Sequence, residues 1–216
     1  MSNVNFVEIL TYIVILIFSV MVHEIAHALA ALWKGDDTAK QMGRITLNPV
    51  PHLDLFGSII LPALMIISNM HFLFAWAKPV PIHPEKFRDP KKDIPLVAFA
   101  GPAANLILAL ISAIIIKIFN IWHPSGYIGI SQDIVMFLFI MINVNICLAI
   151  INLIPIPPLD GSKVVTIFMS WRTASKFLSL NPYICFIVLI GLLWTGILGR
   201  IIFPIVSVLI KGLLSI

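Results

Sequence analysis

Charge is what this sequence has least of. Only 11% of its 216 residues are Asp, Glu, Lys or Arg, against 60% apolar, whereas a soluble domain carries roughly 25% charged residues. That excludes a water-soluble globule. The chain reads as an all-α polytopic membrane protein, because a helix closes its backbone hydrogen bonds within its own segment in lipid. Cysteine is nearly missing as well. Cys147 and Cys185 both lie in apolar stretches, which excludes a disulfide framework and a thiolate metal site; each reads as a small buried apolar residue. Internal repeats, low-complexity tracts and a folded soluble domain are absent from the pattern. Residues 1–5 carry no basic start and no small-residue cleavage site follows, so the first apolar segment is expected to stay in the mature chain. The net charge of +4 is divided among short loops, which points to membrane topology rather than to nucleic acid. The expected surroundings are a lipid bilayer, and no residue pattern speaks to oligomeric state.

Long apolar runs are what the sequence does have. Four strong spans are expected at about 6–33, 95–118, 134–156 and 183–199. Crossing the hydrocarbon core takes about 20 apolar residues, which leaves two further segments ambiguous. Segment 57–77 contains Pro62 and a polar Ser68-Asn69 pair, and segment 201–216 is interrupted by Pro204 and Lys211. Eleven of the fourteen basic residues fall in the loops 34–54, 78–93 and 160–182, while 119–133 has no Lys or Arg. The positive-inside rule puts the first three loops in the cytoplasm and the last outside. Segment 57–77 then enters and leaves by one face as a re-entrant hairpin, the alternative being a fifth full span. Residues 1–216 read as a single domain, with a core of about 6–170 and a C-terminal helical region of about 183–216. The expected fold is a three-helix core plus one or more C-terminal helices, the re-entrant segment, and a small β-like loop after the first span.

Three ionisable groups interrupt the first span. His23-Glu24-Ile25-Ala26-His27 sets two imidazoles one helical turn apart with a carboxylate beside the first, the H-E-x-x-H pattern of a zinc site whose glutamate acts as general base. A charge at such depth costs about 2.5–3.5 kcal/mol on insertion scales and is a functional candidate by default. At 1.5 Å per residue, His23 lies about 25 Å from Phe6, in the inner half. The span 134–156 also runs inward and ends in Asn152-Leu153-Ile154-Pro155-Ile156-Pro157-Pro158-Leu159-Asp160-Gly161, so its polar end meets the histidines at matched depth. Catalytic zinc takes three protein ligands, and Asp160 is the best third ligand. It follows a proline-broken helix end, and Gly161 permits an unusual backbone angle. Asn152 is either a donor to a developing oxyanion or an interhelical hydrogen bond. Asn145 reads as the latter. His52 and Asp54 read as a turn rather than a second metal site.

With those residues in place, the chain resembles the site-2 protease family of intramembrane zinc metalloproteases, in its compact prokaryotic branch without a PDZ domain. Gly43-Arg44-Ile45-Thr46-Leu47-Asn48-Pro49, Phe74-Ala75-Trp76-Ala77-Lys78-Pro79-Val80-Pro81 and Gly101-Pro102-Ala103-Ala104-Asn105 add to the likeness, which runs from about residue 6 to 170. The resemblance implies His23, His27 and Asp160 as ligands of one zinc ion, Glu24 as general base and Asn152 as transition-state donor. Gly101, Pro102 and Asn105 are expected to serve as scaffold. The implied activity is hydrolysis of peptide bonds within or near the transmembrane segments of membrane-spanning protein substrates, by zinc-bound water that Glu24 activates. The site would face the cytoplasmic side of the plasma membrane. Residues 39–48 would offer the unwound substrate a strand edge. Two other classes, an ion carrier using the same four groups and a silent binder of membrane helices, fit less well. Carriers commonly show repeated halves, and a silent binder has no use for Glu24.

Overall fold

A computed structural model describes residues 6–54, 57, 60, 64, 78–122, 126 and 129–215. Its helices are α1 (Phe6–Lys34), α2 (Thr38–Gln41), α3 (Pro90–Trp122), α4 (Ile130–Asn152), α5 (Asp160–Val164), α6 (Trp171–Leu178), α7 (Pro182–Trp194) and α8 (Ile197–Ser215). Four of them, α1, α3, α4 and α8, are long and apolar enough to cross a bilayer. The chain is an all-α, multi-pass membrane protein.

The core of the bundle is α3 against α4. Ala109 and Ala113 on α3 meet Ile142 and Ile146 on α4, all buried, and Leu198, Ile202 and Val206 of α8 close the same cluster. Small residues on α3 let the helix backbones approach, which is how membrane helices gain packing energy where lipid tails are as apolar as leucine. The outward faces stay apolar: Ile107, Ile111 and Ile118 on α3 and Phe137 on α4 are exposed, as surfaces solvated by acyl chains must be. α1 packs across α3 and α4, with Ser19, His23 and His27 buried.

The C-terminal region divides differently from the expected 183–199 and 201–216. Helix α7 ends at Trp194, and the chain breaks at Gly196 with φ of 72° before α8 begins. At 13 residues, α7 is about 20 Å long, too short to cross the core alone. It forms a bent pair with α6, while the 19 residues of α8 are long and apolar enough to span despite Pro204. The expected span at 134–156 likewise stops at Asn152, and residues 153–159 form a separate connection. The re-entrant expectation for 57–77 falls almost wholly outside the described residues.

The β-like loop is not a strand. Among the described residues no strand occurs, and 38–54 is a short helix followed by turns. Gly43 adopts φ of 66°, Thr46 Oγ1 accepts the Asn48 N–H at 3.1 Å, and Asn48 Oδ1 accepts the Val50 N–H at 3.1 Å. Side-chain oxygens that take up local N–H groups turn the chain out of extended geometry.

An extended proline-rich strap, residues 78–83, crosses beside α1. Arg44 clamps it by donating to the carbonyls of Lys78 and Pro79 at 3.1 and 2.8 Å, and Lys78 N–H donates to His52 O at 2.9 Å. Buried Asp36, just past α1, holds its other end. Its carboxylate accepts N–H bonds from His83 at 2.7 Å and Thr38 at 3.0 Å and a bond from the Thr38 hydroxyl, with Lys86 Nζ at 3.7 Å. Burial alone would raise the Asp36 pKa, but these donors outweigh it and hold the carboxyl below the ordinary carboxylate range. A lowered folded-state pKa means that the stabilisation is present above the unfolded value of about 3.9 and is lost as pH falls through the folded one. Asp36→Asn should therefore cost about 1.5–3 kcal/mol at pH 7. In detergent-solubilised protein followed by thermal unfolding, the gap from wild type should narrow as the pH drops below about 4. A gap independent of pH would remove this account of the strap.

Candidate metal centre

The i, i+4 spacing on α1 puts His23 and His27 on one face, their ring centroids 4.6 Å apart and nearly perpendicular. Asp160 arrives from the opposite side, as the first residue of α5. The structure brings all three together: Asp160 Oδ2 lies 3.1 Å from His23 Nε2 and 3.1 Å from His27 Nε2, and the two Nε2 atoms are 3.0 Å apart. All three residues are buried. Among the described residues they form the single cluster able to hold a metal ion.

The far sides of the rings bear on what the cluster could bind. His27 Nδ1 lies 2.7 Å from the Val97 carbonyl oxygen, which only accepts, so Nδ1 carries the proton. His23 Nδ1 faces Asn105 Oδ1 at 2.6 Å and carries its proton for the same reason. A neutral imidazole protonated at Nδ1 presents a bare lone pair at Nε2. With both rings neutral, two such lone pairs and a carboxylate oxygen meet within about 3 Å, an arrangement that a bound cation would satisfy. A set of two imidazoles and one carboxylate suits zinc, and three protein ligands leave a position for water or substrate. The site fits the ion.

Glu24 stands beside the cluster on the wall of the same cavity, which has a volume of about 590 Å³. Its Oε2 accepts the Val80 N–H at 2.9 Å. Since Val80 sits between Pro79 and Pro81, this is the sole N–H that residues 79–81 possess. Asn152 also lines the cavity, its amide donating to Leu148 O at 3.0 Å along its own helix. Apolar walls come from Ile82, Phe87, Ile94, Leu178 and Leu180. Lys163 Nζ approaches the other Asp160 oxygen, Oδ1, at 3.7 Å.

Gly161 serves the site by close approach rather than by an unusual backbone angle. It is helical without a positive φ, and a Cβ there would strike Leu153 O and come within 2.5 Å of Ile154 O. The turn after α4 can fold Asp160 inward only against a residue without a side chain. His52 is buried, with Nε2 3.0 Å from Thr46 O, and Asp54 accepts the Gly57 N–H at 2.7 Å; neither joins the cluster. Reading the sequence missed Val97 as a neighbour of the histidines, whereas Gly101 and Asn105, expected as scaffold, do lie against the rings. The four-residue interval among them was the available signal, since it puts all three on one face of α3.

Comparison with known proteins agrees with this chemistry. A family model described as Peptidase family M50 matches residues 11–195. "Putative zinc metalloprotease YwhC" of Bacillus subtilis (strain 168) is 35% identical over 201 residues, covering 93% of this chain and 88% of that relative. "Putative zinc metalloprotease Rip2" of Mycolicibacterium smegmatis (strain ATCC 700084 / mc(2)155) is 30% identical over 190 residues, 88% of this chain and 69% of that relative. No solved structure matches the chain significantly.

Proposed function

Because this chain belongs to peptidase family M50, the site-2 protease family, and is a zinc metalloendopeptidase, we propose that it cuts other membrane proteins within or beside their transmembrane segments. The observation that carries this reading is a lone-pair cluster set on a membrane-spanning helix, with a carboxylate on the same cavity wall. In it His23, His27 and Asp160 hold the zinc. When bound, the ion supplies Lewis acidity, polarising a peptide carbonyl and making water nucleophilic near neutral pH. Glu24 takes the proton from the attacking water and passes it to the leaving nitrogen. Asn152 donates to the carbonyl oxygen as negative charge builds on it. The apolar walls receive substrate side chains and keep bulk water out.

The site faces the cytoplasmic side of the plasma membrane in this reading. Support comes from Lys34 at the end of α1, which pairs with Asp93 at the start of α3 at 2.9 Å, drawing two of the basic loops to the end nearer the histidines. The whole of 1–216 works as one domain.

A transmembrane substrate must be locally unwound before cleavage, because its carbonyls are engaged in its own helix and each freed group costs several kcal/mol in lipid. Reconstituted enzyme and a single-span reporter test this. A span with Gly and Asn at its centre should be cut at least about tenfold faster than an all-Leu span, since 1.4 kcal/mol is tenfold in rate, and a zinc chelator should stop both. Equal rates would remove the unwinding step. Cleavage confined to soluble peptides would remove the membrane substrate.

A further inference from the structure

We propose that Asn105 is a positioning residue that locks His23 in its metal-binding tautomer, through a buried amide relay linking α1, α3 and α4. The inference rests on the zinc site described above. Asn105, Asn145 and Ser19 are all fully buried, deep in a bundle where an unpaired amide is costly. Their orientations are forced in sequence by groups that can only accept. Asn145 Nδ2 donates to the Met141 carbonyl at 2.9 Å and to Ser19 Oγ at 2.9 Å, which turns Asn145 Oδ1 toward α3. Asn105 Nδ2 then donates to that oxygen at 2.8 Å and to the Ser19 carbonyl at 3.2 Å. With its amide committed to two oxygens, Asn105 presents Oδ1, and only Oδ1, to His23 Nδ1 at 2.6 Å. The proton is pinned on Nδ1 and the lone pair is aimed at the zinc position.

The two ligand histidines are thus held by different means. His27 bonds to a backbone carbonyl, which no substitution removes, whereas His23 depends on one replaceable side chain. Partners on the far nitrogen of a ligand histidine typically govern metal affinity by 10–100-fold. A residue serving only to glue helices would affect unfolding and leave zinc affinity alone.

Zinc affinity of the purified full chain, measured by chelator competition, tests the assignment. Asn105→Leu keeps the branched outline, with more bulk, and removes the acceptor; it should bind zinc about 10–100-fold more weakly. Asn105→Asp keeps an acceptor toward Nδ1 and should recover most of that loss, although it gives up the donors to Asn145 and to the Ser19 carbonyl. Equal zinc affinity in wild type and Asn105→Leu would overturn the proposal, and so would equal weakening by both variants. Should Asn105→Leu fail to fold, ¹⁵N spectra of histidine-labelled, zinc-free wild type decide, with His23→Gln identifying the signal. An Nδ1-protonated His23 is expected, and an Nε2-protonated one would overturn the relay. His23→Ala separates the two levels. Full zinc affinity in that variant would defeat the zinc site itself, whereas lost affinity there beside a wild-type Asn105→Leu defeats only the relay.

Discussion

Gly101→Ala is expected to lower proteolysis on the order of 100-fold, the loss that a displacement of about 1 Å at a reacting centre can cause. Gly101 lies on the face of α3 turned toward the histidines. A Cβ there would fall within 2.6 Å of His23 Nε2 and Cε1 and closer still to His27 Nε2. An overpacked side chain ordinarily costs 1–3 kcal/mol because its neighbours yield, but these have nowhere to go. His27 is tied to Val97 and His23 to Asn105, both on the helix that would carry the new methyl group. Moving α3 back stretches both bonds at once, and tilting the rings breaks the convergence of their lone pairs. Either response should also weaken zinc binding. Dialysis against a mild chelator, followed by metal analysis, should find the variant depleted while wild type stays loaded. A fully loaded, fully active Gly101→Ala would mean that α3 does not press on the rings as described.

The part of this site carried by short-range spacing was legible in the sequence. His23, Glu24 and His27 announce themselves because three ionisable groups within one helical turn have no place in an apolar span unless they act together. Asp160 followed from depth, since two spans running the same way bring their inner ends to one level. The face of α3 could not be read so directly. Val97 contributes only a carbonyl, which every residue has, and Gly101 contributes only the lack of a side chain. Pro102, next along α3, has no N–H and leaves the Ala98 carbonyl without its helical partner. The role of each depends on which face of α3 turns to α1, and packing decides that. Gly161 shows the same limit: a glycine beside an aspartate suggests backbone freedom, yet the need here is for contact with Leu153 and Ile154. At the C-terminal end, no charge interrupts Leu193-Trp194-Thr195-Gly196-Ile197, so an uncharged run concealed a break marked only by a short dip at Thr195-Gly196.

Glu24→Gln should reduce the turnover rate by about 10²–10⁴, the usual contribution of a positioned proton acceptor, or about 2.7–5.5 kcal/mol of barrier, and leave zinc content unchanged. The substitution isolates one property. Glutamine has nearly the shape of glutamate, and its amide oxygen can still accept the Val80 N–H, so the strap stays anchored; what is lost is the capacity to take a proton. Glu24→Ala removes the anchor as well. It should match Glu24→Gln in lost turnover and should differ from it in the strap, where limited proteolysis between residues 78 and 83 should be faster. Zinc retained with cleavage lost would place the proton transfer on Glu24, because the proposed ligands are His23, His27 and Asp160 and the glutamine leaves all three untouched. Cleavage retained by Glu24→Gln would require a different base, and among the described residues no other carboxylate lines the cavity except Asp160, whose Oδ2 is already committed to the imidazole cluster.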